Sequence, residues 1–143
     1  MSKINSLVIK TECKDISVPF LRACIGSFCV YANPTVSEVE DIKTAVSEIV
    51  TNCLVHAYSS NDGIIEAECV LYSDKIEIII KDEGVGIEDI NQAMEPFFST
   101  KSSEEHCGMG LNIVMTFMDE VEIDSGKDKG TSVKMVKRFK VDK

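Results

Sequence analysis

Residues 35–58 read TVSEVEDIKTAVSEIVTNCLVHAY, and this stretch predicts a long amphipathic helix. Two overlapping capping boxes open it, because Thr35 precedes Glu38 and Ser37 precedes Glu40 by the required three positions. The polar run Ser-Ser-Asn-Asp-Gly follows Tyr58, so we expect the helix to end there. Its apolar residues recur three and four positions apart and form one core-facing stripe: Val39, Ile42, Val46, Ile49, Val50, Cys53 and Ala57.

The elements on either side of this helix predict an α+β fold in one domain covering residues 1–143. β-Branched runs indicate strands, and a serine followed by proline indicates the start of an earlier helix. The predicted elements are a strand at 5–11, a helix from Ser17 to Asn33-Pro34, a hairpin of 64–72 and 75–81, a helix at 108–118, and a final hairpin of 121–124 and 131–139. Together they predict a two-layer sandwich, with helices packed on one face of a mixed β-sheet.

Composition excludes several classes of function. The net charge of −9 would repel a phosphate backbone, so we expect no direct contact with nucleic acid, whereas an acidic surface suits a basic protein partner. No apolar run reaches the length of a membrane span and the N-terminus lacks a signal peptide, so we expect a cytoplasmic protein without membrane contact. The six cysteines form no C-x-x-C pair and are predicted to be free thiols, mostly in the core.

Glu48 and Asn52 lie four residues apart, on the same side of the predicted helix and off its apolar stripe. A carboxylate can accept a proton from an attacking hydroxyl, and an amide oxygen suits magnesium that is held mainly by phosphates and water. Taken alone, the pair is more simply explained as a solvated helix face.

Asp82, Gly84 and Gly86 close the second strand of the predicted hairpin. The aspartate can accept a hydrogen bond from an exocyclic amine, and the glycines permit the close approach of a flat ring. This pattern therefore predicts an adenine site, although a plain glycine turn would give the same short sequence.

Gly108, Gly110 and Leu111 begin the third predicted helix, whose N–H groups and dipole can bind phosphate. The long connection at 87–107 holds Thr100 and Lys101, which can add a hydroxyl and an ammonium group. Each feature also has a structural explanation, as an ordinary helix start or a solvated charge.

Together these motifs resemble those of the GHKL ATPase superfamily, which has the Bergerat fold. Glu48-x-x-x-Asn52 resembles the N box, Asp82-x-Gly84-x-Gly86 the G1 box, and Gly108-x-Gly110-Leu111 the G2 box. The stretch PFFSTK at 96–101 resembles the ATP lid, and Gly130-Thr131 resembles a late glycine-threonine pair near the adenine pocket. The resemblance implies binding of ATP with Mg²⁺.

Within that superfamily, the runs VSEIVTNCLVHAY, DEGVGI, PFFSTK and GMGLNIVMTFMD are most similar to anti-sigma F factors. That resemblance implies a homodimeric protein serine kinase that binds a sigma factor of the sigma F type and phosphorylates a serine of an anti-anti-sigma protein. It also implies that Glu48 is the general base and that Arg22 contacts both partners. His106 departs from the pattern, because arginine is expected there; a mostly neutral imidazole would contact the γ-phosphate more weakly.

Three alternatives remain open from the sequence. An anti-sigma B type stress-response kinase would share the same biochemistry with a different sigma factor. A sensor histidine kinase domain would require an upstream helix presenting a phosphoacceptor histidine. We do not expect such a helix in this chain, because His56 lies inside the motif that resembles the N box. A binding module would use nucleotide only as a structural ligand and would transfer no phosphate.

Overall fold

The computed structural model describes residues 2–57, 63–83, 106–125 and 130–140. The elements follow in the order β1 (Lys3–Glu12), α1 (Ser17–Phe28), a 3₁₀ turn (Cys29–Ala32), α2 (Val36–Asn52), a π-helical turn (Cys53–Ala57), β2 (Ile64–Tyr72), β3 (Lys75–Asp82), α3 (His106–Phe117), β4 (Glu120–Ser125) and β5 (Thr131–Arg138). The predicted α+β class is confirmed. None of the described helices combines the length and the apolar character needed to cross a membrane.

The five described strands form one sheet in the order β1-β2-β3-β5-β4, and all four pairings are antiparallel. The prediction of a mixed sheet was therefore wrong. A single crossover helix between β1 and β2 would make the two strands parallel. Here the chain forms two helices between them, α1 and α2, and re-enters the sheet antiparallel to β1. β3 and β4 do run in the same direction, but β5 lies between them and prevents their pairing.

The helices cover one face of the sheet, as predicted. Alternate residues of β2 and β3 are buried, which is the period expected when a strand turns one side toward a core. Helix α2 packs against both α1 and α3. The most deeply buried side chains of this core include Leu21, Ile25, Ile42, Val46, Ile65, Leu71, Ile78, Ile80, Val114 and Met135.

The N-terminal end of α2 is fixed by a capping box. The Thr35 hydroxyl accepts a hydrogen bond from the Glu38 N–H at 3.0 Å, and the Glu38 carboxylate accepts one from the Thr35 N–H at 2.7 Å. The other oxygen of Glu38 accepts from the Lys140 N–H at 2.8 Å, so this buried carboxylate also holds the chain beyond β5. Ser37 is already inside α2, so the second predicted box has no helix start to cap.

Lys137 of β5 joins the sheet to two helices. Its ammonium lies 3.0 Å from the Asp41 carboxylate of α2 and donates to the Phe117 carbonyl, the last of α3, at 2.7 Å. A cation at the C-terminal end of a helix is favoured by the helix dipole. The position of α2 over the sheet is therefore set by β5 as well as by apolar packing.

Candidate functional site

Glu48 and Asn52 both lie on α2, one turn apart, and both are partly buried. Asn52 is the last residue of α2, because the α-helix ends there rather than near Tyr58 as predicted. The chain continues as a π-helical turn from Cys53 to Ala57. Such widened turns occur often at functional sites. The predicted carboxylate and amide therefore sit at the end of the regular helix.

Asp82 is the last residue of β3 and is only 9% exposed. One of its carboxylate oxygens, Oδ2, accepts a hydrogen bond from the thiol of Cys53 at 3.4 Å. Cys53 follows Asn52 directly in the chain, so this contact places the predicted adenine-reading carboxylate beside the end of α2. Two motifs that lie far apart in sequence thus meet in space.

Burial governs the state of this thiol. Desolvation, followed by the negative charge of Asp82, raises the pKa of Cys53 well above its usual value. The same two causes, in the same order, raise the pKa of Cys13 to about 11. Both thiols therefore stay protonated near neutral pH, and Cys53 keeps the proton that it donates to Asp82.

Gly130 and Thr131 bring β5 against Asp82. Thr131 is the register partner of Asp82, and Gly130 has a positive φ of 78°. A Cβ at Gly130 would collide with the carbonyl oxygen of Asp82, so this close approach requires glycine. The predicted late glycine-threonine pair is thereby placed next to the predicted adenine-reading residue.

Helix α3 begins at His106, two residues earlier than predicted. Gly108 falls in its first turn, where N–H groups have no acceptor within the helix, and Gly110 follows closely. Leu111 is 2% exposed and belongs to the core, so its side chain serves packing. Since α3 packs on α2, its start lies on the helical layer that also carries Glu48 and Asn52.

A cavity of about 640 Å³ opens at the end of the sheet, and Asp82, Gly130 and Thr131 line part of it. The rest of its described lining is mostly charged or polar: Lys10, Ile64, Glu66, Lys81, Glu83, Asp124 and Ser132. Its volume suits a small-molecule ligand. Neither Glu48 nor Asn52 belongs to the described lining. Five of the lining residues are register partners on the sheet face that carries no helices, opposite the buried side chain of Asp82: Lys10, Glu66, Lys81, Ser132 and Asp124. The cavity is therefore not the nucleotide site predicted around Asp82, Glu48 and Asn52.

Arg22 lies on α1 and faces α2. Its guanidinium donates to the Ser47 hydroxyl at 3.3 Å and lies 3.8 Å from the Glu40 carboxylate. Ser47 in turn donates to the Lys43 carbonyl at 2.8 Å and directly precedes Glu48. Arg22 therefore contacts α2, the helix that carries the predicted general base Glu48.

Four predicted site residues lie outside the described residues: Gly84, Gly86, Thr100 and Lys101. The side chain of His106 also lies outside them. Across the described part of the chain, no three His, Cys, Asp or Glu side chains converge to hold a metal ion.

Cys53 is the residue of this site that sequence reasoning missed, because it was assigned to the apolar stripe of α2. It is buried, as expected, but its hydrogen bond to Asp82 gives it a second role. The sequence feature that could have indicated a place in the site is its position directly after Asn52. The five cysteines whose side chains the structure describes are all free thiols, as predicted.

Comparison with known proteins places these features in a family. The sequence model of the histidine kinase-like ATPase domain matches residues 14–137. An anti-sigma F factor of Caldanaerobacter subterraneus is 45% identical over 133 residues, covering 93% of each chain. One from Thermoanaerobacter sp. is 43% identical over 143 residues and covers both chains completely, and one from Oceanobacillus iheyensis is 47% identical over 121 residues, 84% of this chain and 83% of its own.

Solved structures support the fold. A structure of the RsbU and RsbW domains of a Mycobacterium tuberculosis protein superposes with a TM-score of 0.67 at 18% identity, covering 95% of this chain and 32% of that one. A histidine kinase domain from Erythrobacter litoralis gives a TM-score of 0.57 at 19% identity, covering 85% of this chain and 61% of its own. The full-length sequence matches and the shared fold together show that this chain belongs to the anti-sigma F factor family and carries a histidine kinase-like ATPase domain.

Proposed function

We propose that this chain binds a sigma factor of the sigma F type and, using ATP with Mg²⁺, phosphorylates a serine of an anti-anti-sigma protein. The observation that carries the proposal is 43% identity to an anti-sigma F factor over the whole of both chains. The meeting of Asp82 with Gly130, Thr131 and the end of α2 supports a nucleotide site in the same place. By this proposal the protein acts in the cytoplasm.

When bound, ATP would supply the transferred phosphoryl group and Mg²⁺ would neutralise its charge. Glu48 accepts the proton of the serine hydroxyl as general base, because its carboxylate is partly exposed beside the amide of Asn52. The Asn52 oxygen would hold the magnesium, which needs few protein ligands when phosphates and water provide the others. The backbone around Gly108 and Gly110 binds phosphate at the start of α3, and Thr100 and Lys101 contact it from the predicted lid.

Adenine is selected by Asp82. Its buried carboxylate accepts a hydrogen bond from the exocyclic amine, while Thr131 and the glycines Gly84 and Gly86 adjoin the ring. Guanine has a carbonyl at the equivalent position and would meet this carboxylate with repulsion. GTP should therefore bind much more weakly than ATP.

Partner binding is proposed for a surface that includes Arg22. A partner carboxylate would compete with Glu40 for the Arg22 guanidinium, which is 38% exposed in its side chain. A homodimer is also proposed, since β1 is an edge strand of the described sheet and its unpaired backbone groups can pair with a second copy. The neighbouring groove of about 560 Å³ exposes Ile4 and Tyr31, which a second copy would cover.

The proposal is tested by incubating the protein with labelled ATP, Mg²⁺ and a candidate anti-anti-sigma protein from the same genome. We expect label on a serine of that protein. Nucleotide binding without transfer to any candidate would instead identify a nucleotide-dependent binding module. Transfer to the antagonist of a stress-response sigma factor alone would identify an anti-sigma B type kinase.

The partner surface has its own test. Arg22→Ala should weaken sigma factor binding and leave ATP affinity unchanged, because its polar contacts within the described residues are with Ser47 and Glu40, neither of which is a proposed nucleotide ligand. Lys14→Ala, which alters another partly exposed cation near α1, is the matched control and should change neither. If Arg22→Ala weakened sigma factor binding and ATP binding together, the substitution would be shown to disturb the fold instead.

A further inference from the structure

We infer that Cys53 is a positioning residue for nucleotide selectivity: its thiol holds the Asp82 carboxylate in the orientation that reads the exocyclic amine of adenine. The inference rests on the role proposed above for Asp82. It adds a residue that contacts Asp82 rather than the nucleotide, and it assigns a task to a cysteine that the apolar pattern alone places in the core.

The geometry of the contact supports this role. The Cys53 thiol donates to Oδ2 of Asp82 at 3.4 Å, and the two side chains come from different elements of the fold. Both residues are at least nine-tenths buried. A carboxylate turns readily about its terminal torsion, because that torsion has broad wells. A hydrogen bond to one of its oxygens restricts that rotation and fixes the plane of the group.

The chemistry of the donor suits the task. A thiol is a weak donor with a single proton, so it orients the carboxylate while leaving its negative charge available to a ligand. Alanine would offer no proton, and serine would offer one from a stronger donor of similar size.

Other buried cysteines of the chain provide a comparison. The Cys29 thiol donates to the Gly26 carbonyl of its own helical segment at 3.2 Å. Burial first, then the thiol of Cys29 and the charge of Glu68, raise the pKa of Cys69 to about 12, with no contribution from Asp82. Cys69 is 1% exposed. Cys69→Ala therefore also removes a buried thiol, but one that does not contact Asp82. It is the matched control for Cys53→Ala.

The test measures the affinity of Mg²⁺-ATP and of Mg²⁺-purine riboside triphosphate, which lacks the exocyclic amine, under reducing conditions. The parent protein should prefer ATP by about tenfold or more, as expected for one hydrogen bond to a charged group. Cys53→Ala should lose most of this preference, with ATP affinity falling about tenfold and analogue affinity changing less than about twofold. Cys53→Ser should keep the preference, and so should Cys69→Ala.

Two results would overturn the inference. In the first, Cys53→Ala keeps the parent preference for ATP. In the second, Cys53→Ala weakens the binding of both nucleotides equally, which is the effect expected from losing a thiol with a purely structural role. A parent protein that binds ATP and the analogue equally would remove the role of Asp82 itself, so failure of the proposed function is recognised before any variant is compared. If Cys53→Ala folds poorly, Cys53→Val refills the space without a donor and should show the same loss of preference.

Discussion

The two ends of α2 are held in different ways. At the first end, the buried carboxylate of Glu38 uses both oxygens, one for the Thr35 N–H and one for the Lys140 N–H. At the other end the α-helix stops at Asn52, and the chain widens into a π-helical turn whose Cys53 thiol donates to Asp82. One end makes strong, charge-assisted hydrogen bonds to the backbone, while the other makes a weak bond between side chains.

The two ends of α2 therefore have different roles: the first end stabilises the fold and the second end carries the candidate site. The firmly held end, reinforced by the Lys137–Asp41 pair, fixes the direction of α2 over the sheet. The site end can then carry partly exposed polar side chains and an irregular turn, features that cost stability. We therefore expect substitutions at the first end to change stability and substitutions at the second to change chemistry.

The largest expected effect separates two residues of the site end. Glu48→Gln should retain ATP affinity but lose about 10²- to 10⁴-fold in the rate of serine phosphorylation, because it removes the proposed general base. Asn52→Ala should lose magnesium-dependent ATP binding, because it removes the proposed metal ligand. Nucleotide affinity and phosphoserine formation, measured side by side on both variants, decide between these outcomes.

For both variants the free energy of unfolding without nucleotide should stay within about 0.5 kcal/mol of the parent, as for partly exposed residues outside the core. If Glu48→Gln phosphorylated its partner at the parent rate, the Glu48 carboxylate would have no catalytic role and would be only part of a solvated helix face.

The first end should respond in the opposite way. Glu38→Ala leaves the N–H groups of Thr35 and Lys140 without their acceptor, and we expect a loss of about 2–4 kcal/mol in the free energy of unfolding. Glu40→Ala, on the same helix but about half exposed, is the control and should cost less than about 1 kcal/mol. Urea unfolding measures both variants. ATP affinity of the folded Glu38→Ala protein should match the parent; a parallel fall would show that the two ends are coupled.

A third prediction concerns a buried thiol of β2, the strand that packs against α1 and the 3₁₀ turn. Burial raises the pKa of Cys69 from 9.0 to about 12, so above pH 9 the unfolded chain releases a proton that the folded chain retains. Stability from this thiol is complete below pH 9 and is lost as the pH rises toward 12, by up to about 1.4 kcal/mol per pH unit. Urea midpoints from pH 8 to 10.5 should fall less steeply in Cys69→Val, and an unchanged slope would contradict the prediction.

The smallest effect tests the exact start of α2. Thr35→Ala should cost about 1 kcal/mol, the usual value of an N-cap hydroxyl. Ser37→Ala removes the hydroxyl of the second, unused capping box and should be nearly neutral, because Ser37 lies within the helix. Thermal unfolding of the two variants compares them directly. Equal losses would indicate that the helix start shifts between the two boxes.

Much of this fold could be predicted because the signals are local. The Thr35–Glu38 capping box, the hairpin turn at Ser73-Asp74 and the position of Asp82 at a strand end each depend on neighbouring residues alone. The pairing of β4 with β5 is local as well and was predicted, but the place of β5 beside β3 was not, because those two strands lie far apart in the sequence.

The candidate site shows the same limit. Its motifs predicted which elements would carry Glu48, Asn52 and Asp82, and each lies on its expected element. The end of the α-helix at Asn52 and the contact between Cys53 and Asp82 were not foreseen. That contact joins residues 29 positions apart, and apolar periodicity explains Cys53 equally well as simple core.

The place of β5 between β3 and β4 also determines when the sheet can form during synthesis. A ribosome makes β1, β2 and β3 with their two helices first, and this part can begin to assemble while β3 still presents an open hydrogen-bonding edge. That edge is covered only after residues 131–138 emerge, more than 50 positions later. During that interval the nascent chain offers a template for wrong strand pairing, which is a hazard for which chaperones exist. Slowing translation between β3 and β5 should therefore increase aggregation of this protein more than slowing it between β2 and β3.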